Sequence, residues 1–131
     1  MLSEYLEKSG RAPWRWGRMD CCMFTNGWIR EATGKDPYEA FPGGYATAAD
    51  AKRIIIRAGG FVSLVSGVMA GFDQTDEPET GDVAIIKLPR NNNFGIAGHA
   101  LVIRLGNWWV GRSETGIAGV EAPHEIAWRI L

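Results

Sequence analysis

Apolar residues recur at helical spacing in the first half of the chain and gather into short β-type runs in the second. Leu2, Tyr5 and Leu6 share one side of a short amphipathic helix over Leu2 to Lys8, and Pro13 ends it. Phe24, Trp28, Ile29 and Ala32 form the inward face of a helix from Cys21 to about Thr33. Asp20 is its N-cap, because a carboxylate there accepts from the free amides of the first turn. Gly34 is its C-terminal cap. Asp36–Pro37 starts a turn or short helix through Ala40, and Pro42–Gly43–Gly44–Tyr45 reads as a loop. Thr47 caps a second clear helix, Ala48 to Ala58, whose inner face is Ala51, Ile54, Ile55 and Ala58; Gly59–Gly60 stops it. Phe61 to Val68 is apolar throughout and favours helix from Leu64 on. The acidic, polar stretch from Gly71 to Thr80 is a connecting loop.

Beyond it the period changes. Asp82 to Leu88 is a mostly buried β run, and Pro89 to Phe94 is a turn or loop. His99 to Arg104 is a second strand, Gly106–Asn107 a hairpin turn, and Trp108 to Arg112 a third strand. Ile117 to Glu121 and Ile126 to Ile130 are expected to complete a meander. Helices followed by a run of antiparallel strands predict an α+β fold, with N-terminal helices packed on a C-terminal antiparallel sheet. The 131 residues suit a single domain over 1–131.

Composition narrows the function classes. A formal net charge of −1 with no basic block argues against electrostatic nucleic-acid binding. The apolar runs are too short to span a bilayer, so no membrane insertion is expected. The N-terminus, MLSEYLEKSGR, is acidic early and has no apolar stretch of signal-peptide length; synthesis in the cytoplasm without a signal peptide is expected. Six tryptophans and 17 glycines suggest a compact, loop-rich fold with tight backbone approaches.

The two cysteines, Cys21 and Cys22, are neighbours. They build no disulfide framework and are expected to be free thiols. Adjacent cysteines with two distant histidines also lack zinc-ligand spacing, so neither a metal nor a cofactor is expected. Cys21 falls at the first helical position, where free amides and the helix dipole lower a thiol pKa. Burial as a small hydrophobe is the equally weighted alternative. A nucleophilic thiol needs a base, and the chain offers His99 and His124. In a helix-on-sheet fold a helix N-terminus meets the first residue of a central strand, which brings Cys21 to His99. Trp14 and Trp16 are candidates to wall a cleft beside Cys21, and one of Trp108 and Trp109 to line it, against core packing for the rest.

Asp20–Cys21 and Phe24 at a helix start, Gly81–Asp82–Val83–Ala84 at a strand start and Gly98–His99–Ala100–Leu101–Val102–Ile103 at the next resemble, in that order, the NlpC family of papain-like cell-wall cysteine peptidases. Trp16–Gly17, Thr33–Gly34–Lys35–Asp36–Pro37, Gly44–Tyr45 and Ala127–Trp128 are similar to a compact phage and prophage branch, a domain of unknown function encoded among tail genes. The resemblance implies a papain-like fold with Cys21 as nucleophile and His99 as general base. It implies a peptidase or amidase acting on peptidoglycan peptides, carried in a phage tail or tail-like particle with tail proteins as partners. The alternative is a structural tail-tip or assembly protein that keeps the fold with a weak or inactive site. The family has His, Asn or Gln on the strand after the histidine strand; Trp108 to Ser113 offers none. Asp20, Asn107, Ser113, Glu114 and His124 are the remaining candidates for support.

Overall fold

The computed structural model describes residues 1–39, 45–88, 96 and 98–131. The loops expected at 42–44 and 89–94 lie outside the described residues. Among the described residues four helices precede five strands: α1 (Leu2–Arg11), α2 (Cys21–Thr33), α3 (Ala48–Arg57), α4 (Phe61–Val68), β1 (Val83–Lys87), β2 (His99–Leu105), β3 (Trp108–Ser113), β4 (Gly116–Val120) and β5 (His124–Trp128). The chain is therefore α+β. Helix α1 runs one turn past Lys8. Helix α4 begins at Phe61 and not at Leu64, because Gly60, at φ 116°, turns the chain directly from the end of α3 into a new helix.

The strands form one antiparallel sheet in the order β4-β3-β2-β1-β5. The first four strands are the expected meander. The fifth is not: β5 crosses to the opposite edge and pairs with β1, Val83 opposite Trp128 and Ile85 opposite Ile126. Two features account for this. The apolar residues Ile126, Ala127 and Trp128 gain more cover beside β1, whose first four residues are buried, than beside the half-exposed β4. Asp82 also ties the C-terminal segment to the start of β1. Its Oδ1 accepts from the Ile130 amide at 3.1 Å, and Oδ2 accepts from the Glu79 amide at 2.8 Å and lies 3.0 Å from Arg129 Nε.

Alternation along the strands divides the core in two. Val83, Ile85, Leu101, Ile103, Val110 and Trp128 join residues from all four helices in one cluster. Ala84, Ile86, Ala100, Val102, Trp109 and Ala127 form a second cluster on the other face. Strand β2 is central, and its first residue, His99, belongs by period two to the face of Leu101 and Ile103.

Candidate active site

The turn before α2 is built around Asp20, which is completely buried. Its Oδ1 accepts from the amides of Cys22 at 3.0 Å and Met23 at 2.9 Å, the predicted N-cap. Oδ2 accepts from the Gly17 amide at 2.8 Å and the Tyr45 hydroxyl at 2.6 Å. Four donors hold this carboxylate in place. Gly17 must be glycine: it has φ 82°, and a Cβ there would collide with the Tyr45 carbonyl oxygen. The approach to Cys21 is thus fixed on both sides.

Two hydrogen bonds set how α2 lies along β2. Thr25 Oγ1 donates to the Leu101 carbonyl at 2.8 Å. Trp28 Nε1 donates to the Gly81 carbonyl at 2.8 Å, and the Gly81 amide donates to the Arg104 carbonyl at 2.9 Å. Helix and strand therefore advance in the same direction. Going back four helical residues from Thr25 retreats about 6 Å, the rise from Leu101 back to His99. By this register the start of α2, where Cys21 stands, is level with the start of β2, where His99 stands, and Cys21 shares the sheet-facing side of α2 with Thr25 and Trp28.

The sheet makes room for this approach. Arg104 bonds toward β1, so Leu101 and His99, at odd positions, present their backbone groups to the β3 side. The described β2–β3 pairs run from Leu105↔Trp108 to Ile103↔Val110. Beyond them, Thr25 takes the Leu101 carbonyl. The His99 amide and carbonyl are both taken by Ile96, at 3.1 and 2.8 Å. The histidine backbone is anchored where the helix start meets the sheet.

Phe61, at the start of α4, stacks on the His99 ring with centroids 5.5 Å apart and planes 8° from parallel. His99 Nε2 lies 3.7 Å from Glu125 Oε1, an ion pair when the imidazole is protonated. Glu125 reaches this position through a bulge. Ile126 opposes Ile85, but His124 opposes Ile86, leaving Glu125 as the extra residue. Regular alternation would have kept His124 on the face of Ile126. The bulge turns it to the other face, where its ring meets Trp109 edge-on at 6.0 Å.

The supporting and cleft residues expected from sequence divide accordingly. Asp20 stands directly before Cys21. Neither His124 nor Ser113 faces His99: Ser113 lies on the Trp109 face by alternation, with Oγ donating to the Gly116 carbonyl at 3.1 Å in the turn after β3. Trp109 is buried on that face under Arg104, 4.7 Å from ring to guanidinium. Trp108 is half-exposed but opposes Leu105. That is six residues, about 20 Å, from His99, so neither tryptophan walls the site. Trp14 and Trp16 pack edge-to-face, 5.2 Å apart, and rest partly buried against the helical core. Sequence reasoning missed Glu125, Phe61 and Thr25. Glu125 carried no signal, since a bulge is invisible to periodicity, whereas Thr25 lies one turn after Cys21 on the same helix face.

The two cysteines are free and differ in surroundings. Cys21 is completely enclosed; Cys22 lines a cleft with Tyr38, Tyr45, Ile54, Ile55 and Phe61. A hydrogen bond with Cys21, and then burial, push the Cys22 thiol well above its usual pKa, so it stays neutral near pH 7. Burial first, and then Asp20, push the Tyr45 hydroxyl up as well. Among the described residues, no group of three or more His, Cys, Asp or Glu is placed to hold a metal ion, and no helix is long and apolar enough to cross a membrane.

The family model described as Domain of unknown function (DUF6950) matches residues 1–130. No curated protein and no solved structure matches the chain. The chain belongs to the DUF6950 family.

Proposed function

We propose that this member of the family is a cysteine hydrolase, a peptidase or amidase, with Cys21 as nucleophile, His99 as base and Glu125 orienting the imidazole. What supports the reading is the register of α2 on β2, fixed by the Thr25 and Trp28 bonds, in which a cysteine at the first helical position is level with a strand-opening histidine. His99 takes the thiol proton, and the thiolate sulfur adds to an amide carbonyl carbon. The C–N bond breaks, and the amine leaves with the proton returned by His99. Water then cleaves the thioester, giving its proton to His99, and the acid departs as the thiol is restored. The Cys21 amide, which at the first helical position has no partner within its own helix, faces the developing oxyanion. The papain-like architecture, a peptidoglycan peptide as substrate and a place in a phage tail, with tail proteins as partners, belong to this proposal through the motif resemblance.

The complete burial of Cys21 favours a second reading, a structural tail protein that keeps the fold without turnover. Incubation with peptidoglycan fragments separates the two. New amines detected by mass spectrometry, abolished by Cys21→Ala and His99→Ala and spared by Cys22→Ala, are the expected result. No new amine from the wild-type protein, or equal release from Cys21→Ala, sinks the hydrolase.

A further inference from the structure

We infer that the cleft beside Cys22 is the acyl-side specificity pocket of this hydrolase and takes a short, uncharged aliphatic group; the inference rests on the Cys21–His99 reading. The cleft adjoins the dyad on both sides. Cys22 follows Cys21 in the first turn of α2, and Phe61, which lines the cleft, stacks on His99. A substrate carbonyl at Cys21 therefore has its neighbouring substituent at the mouth of the cleft.

The lining sets the chemistry. Ala51, Ile54, Ile55 and Leu64, from α3 and α4, join Ile96 and Phe61 as apolar walls. The polar groups among the described lining residues are the Cys22 thiol and the hydroxyls of Tyr38 and Tyr45. The Tyr45 hydroxyl is committed to Asp20, and the Cys22 and Tyr38 protons are held on by burial and neighbouring groups. No cation among those lining residues meets a substrate carboxylate, and no anion meets an amine. A charged substituent entering here loses its hydration without compensation. The cavity is small, about 20 Å³, well below the size of drug-sized ligand pockets, and leaves room for a few carbons at most and none for a sugar.

The test uses p-nitrophenyl esters of graded acyl length, with the Cys21→Ala rate subtracted. The Cys21-dependent kcat/KM is expected to rise from acetate to butyrate by at least about tenfold per added methylene at the favourable lengths, and to fall for the hemisuccinate. Leu64→Phe shortens the preferred chain and Ile54→Ala lengthens it. Cys21-dependent turnover that ignores chain length, or favours the succinyl ester, overturns the pocket while leaving the dyad standing. If wild type and Cys21→Ala hydrolyse alike, the dyad fails, and the pocket is judged by binding alone. Butyramide should then give saturable shifts in the Ile54 and Ile55 methyl resonances of the full chain, and succinamate none. Absence of the butyramide shifts, or equal shifts from both, overturns it.

Discussion

Asp20 and Glu125 differ in how far each residue's role can be read from its neighbours. Asp20 is a cap, and capping is local: the residue type, the apolar helix behind it and the glycine before it suffice to predict the bonds to the Cys22 and Met23 amides. Its bond from Tyr45, from a distant segment, was not legible. Glu125 depends on one extra residue in β5, which moves His124 off the helical face and aims a carboxylate at His99 Nε2. Neighbouring side chains carry no mark of that insertion. Its role can be tested through the split between kcat and KM. A carboxylate 3.7 Å from Nε2 fixes the orientation of the imidazole. Glu125→Gln should therefore lower kcat by roughly tenfold per folded molecule and leave KM near the wild-type value, with Glu125→Asp recovering part of the loss. A merely structural glutamate would change the amount of folded protein and leave kcat per folded molecule where it was.

At the scale of elements, hairpins and caps were legible and long-range closure was not. Gly106–Asn107 marks the β2–β3 turn by residue type alone, and both sides of it pair as expected, Leu105 with Trp108. The return of β5 to β1 is a choice between two sheet edges, and the period-two pattern of β5 fits either. It was decided by Asp82, which gathers Arg129 and Ile130 from 47 and 48 residues along the chain. The placement of α2 depends likewise on a bond that periodicity does not encode, from Thr25 to a strand carbonyl beyond the described β2–β3 pairs. Thr25→Val keeps the shape of the side chain and leaves the buried Leu101 carbonyl without that donor. It should cost about 1–3 kcal/mol in denaturant unfolding, and any Cys21-dependent activity should fall further than folded protein does. Thr25→Ser should restore both. If Thr25→Val unfolds at wild-type denaturant concentration, the bond does not hold the helix to the strand.

For the whole molecule, the protons kept in the cleft connect stability to the chemistry proposed. Cys22, Tyr38 and Tyr45 all have folded pKa values above their ordinary ones: Cys22 chiefly through its bond with Cys21, the tyrosines chiefly through burial. These groups are neutral when protonated, so the fold retains protons that the unfolded chain releases, and stability must fall as the pH rises. Their contribution is fully present below about pH 8.5, where the unfolded cysteine keeps its proton. It diminishes above that, and faster above about pH 10 as unfolded tyrosines ionise. Each group that is ionised only in the unfolded chain removes about 1.4 kcal/mol per pH unit. Thermal unfolding followed from pH 7 to 11 should show a level Tm at first and then a fall that steepens through the tyrosine range. Tyr45→Phe deletes one of the three protons together with its bond to Asp20. The variant should start from a lower Tm at pH 7 and decline less steeply above pH 10. Parallel declines in the two proteins would mean that the Tyr45 proton is not held by the fold. The same retention keeps the groups lining the cleft uncharged around neutral pH, the condition under which an aliphatic substituent, and not a charged one, would seat beside Cys21.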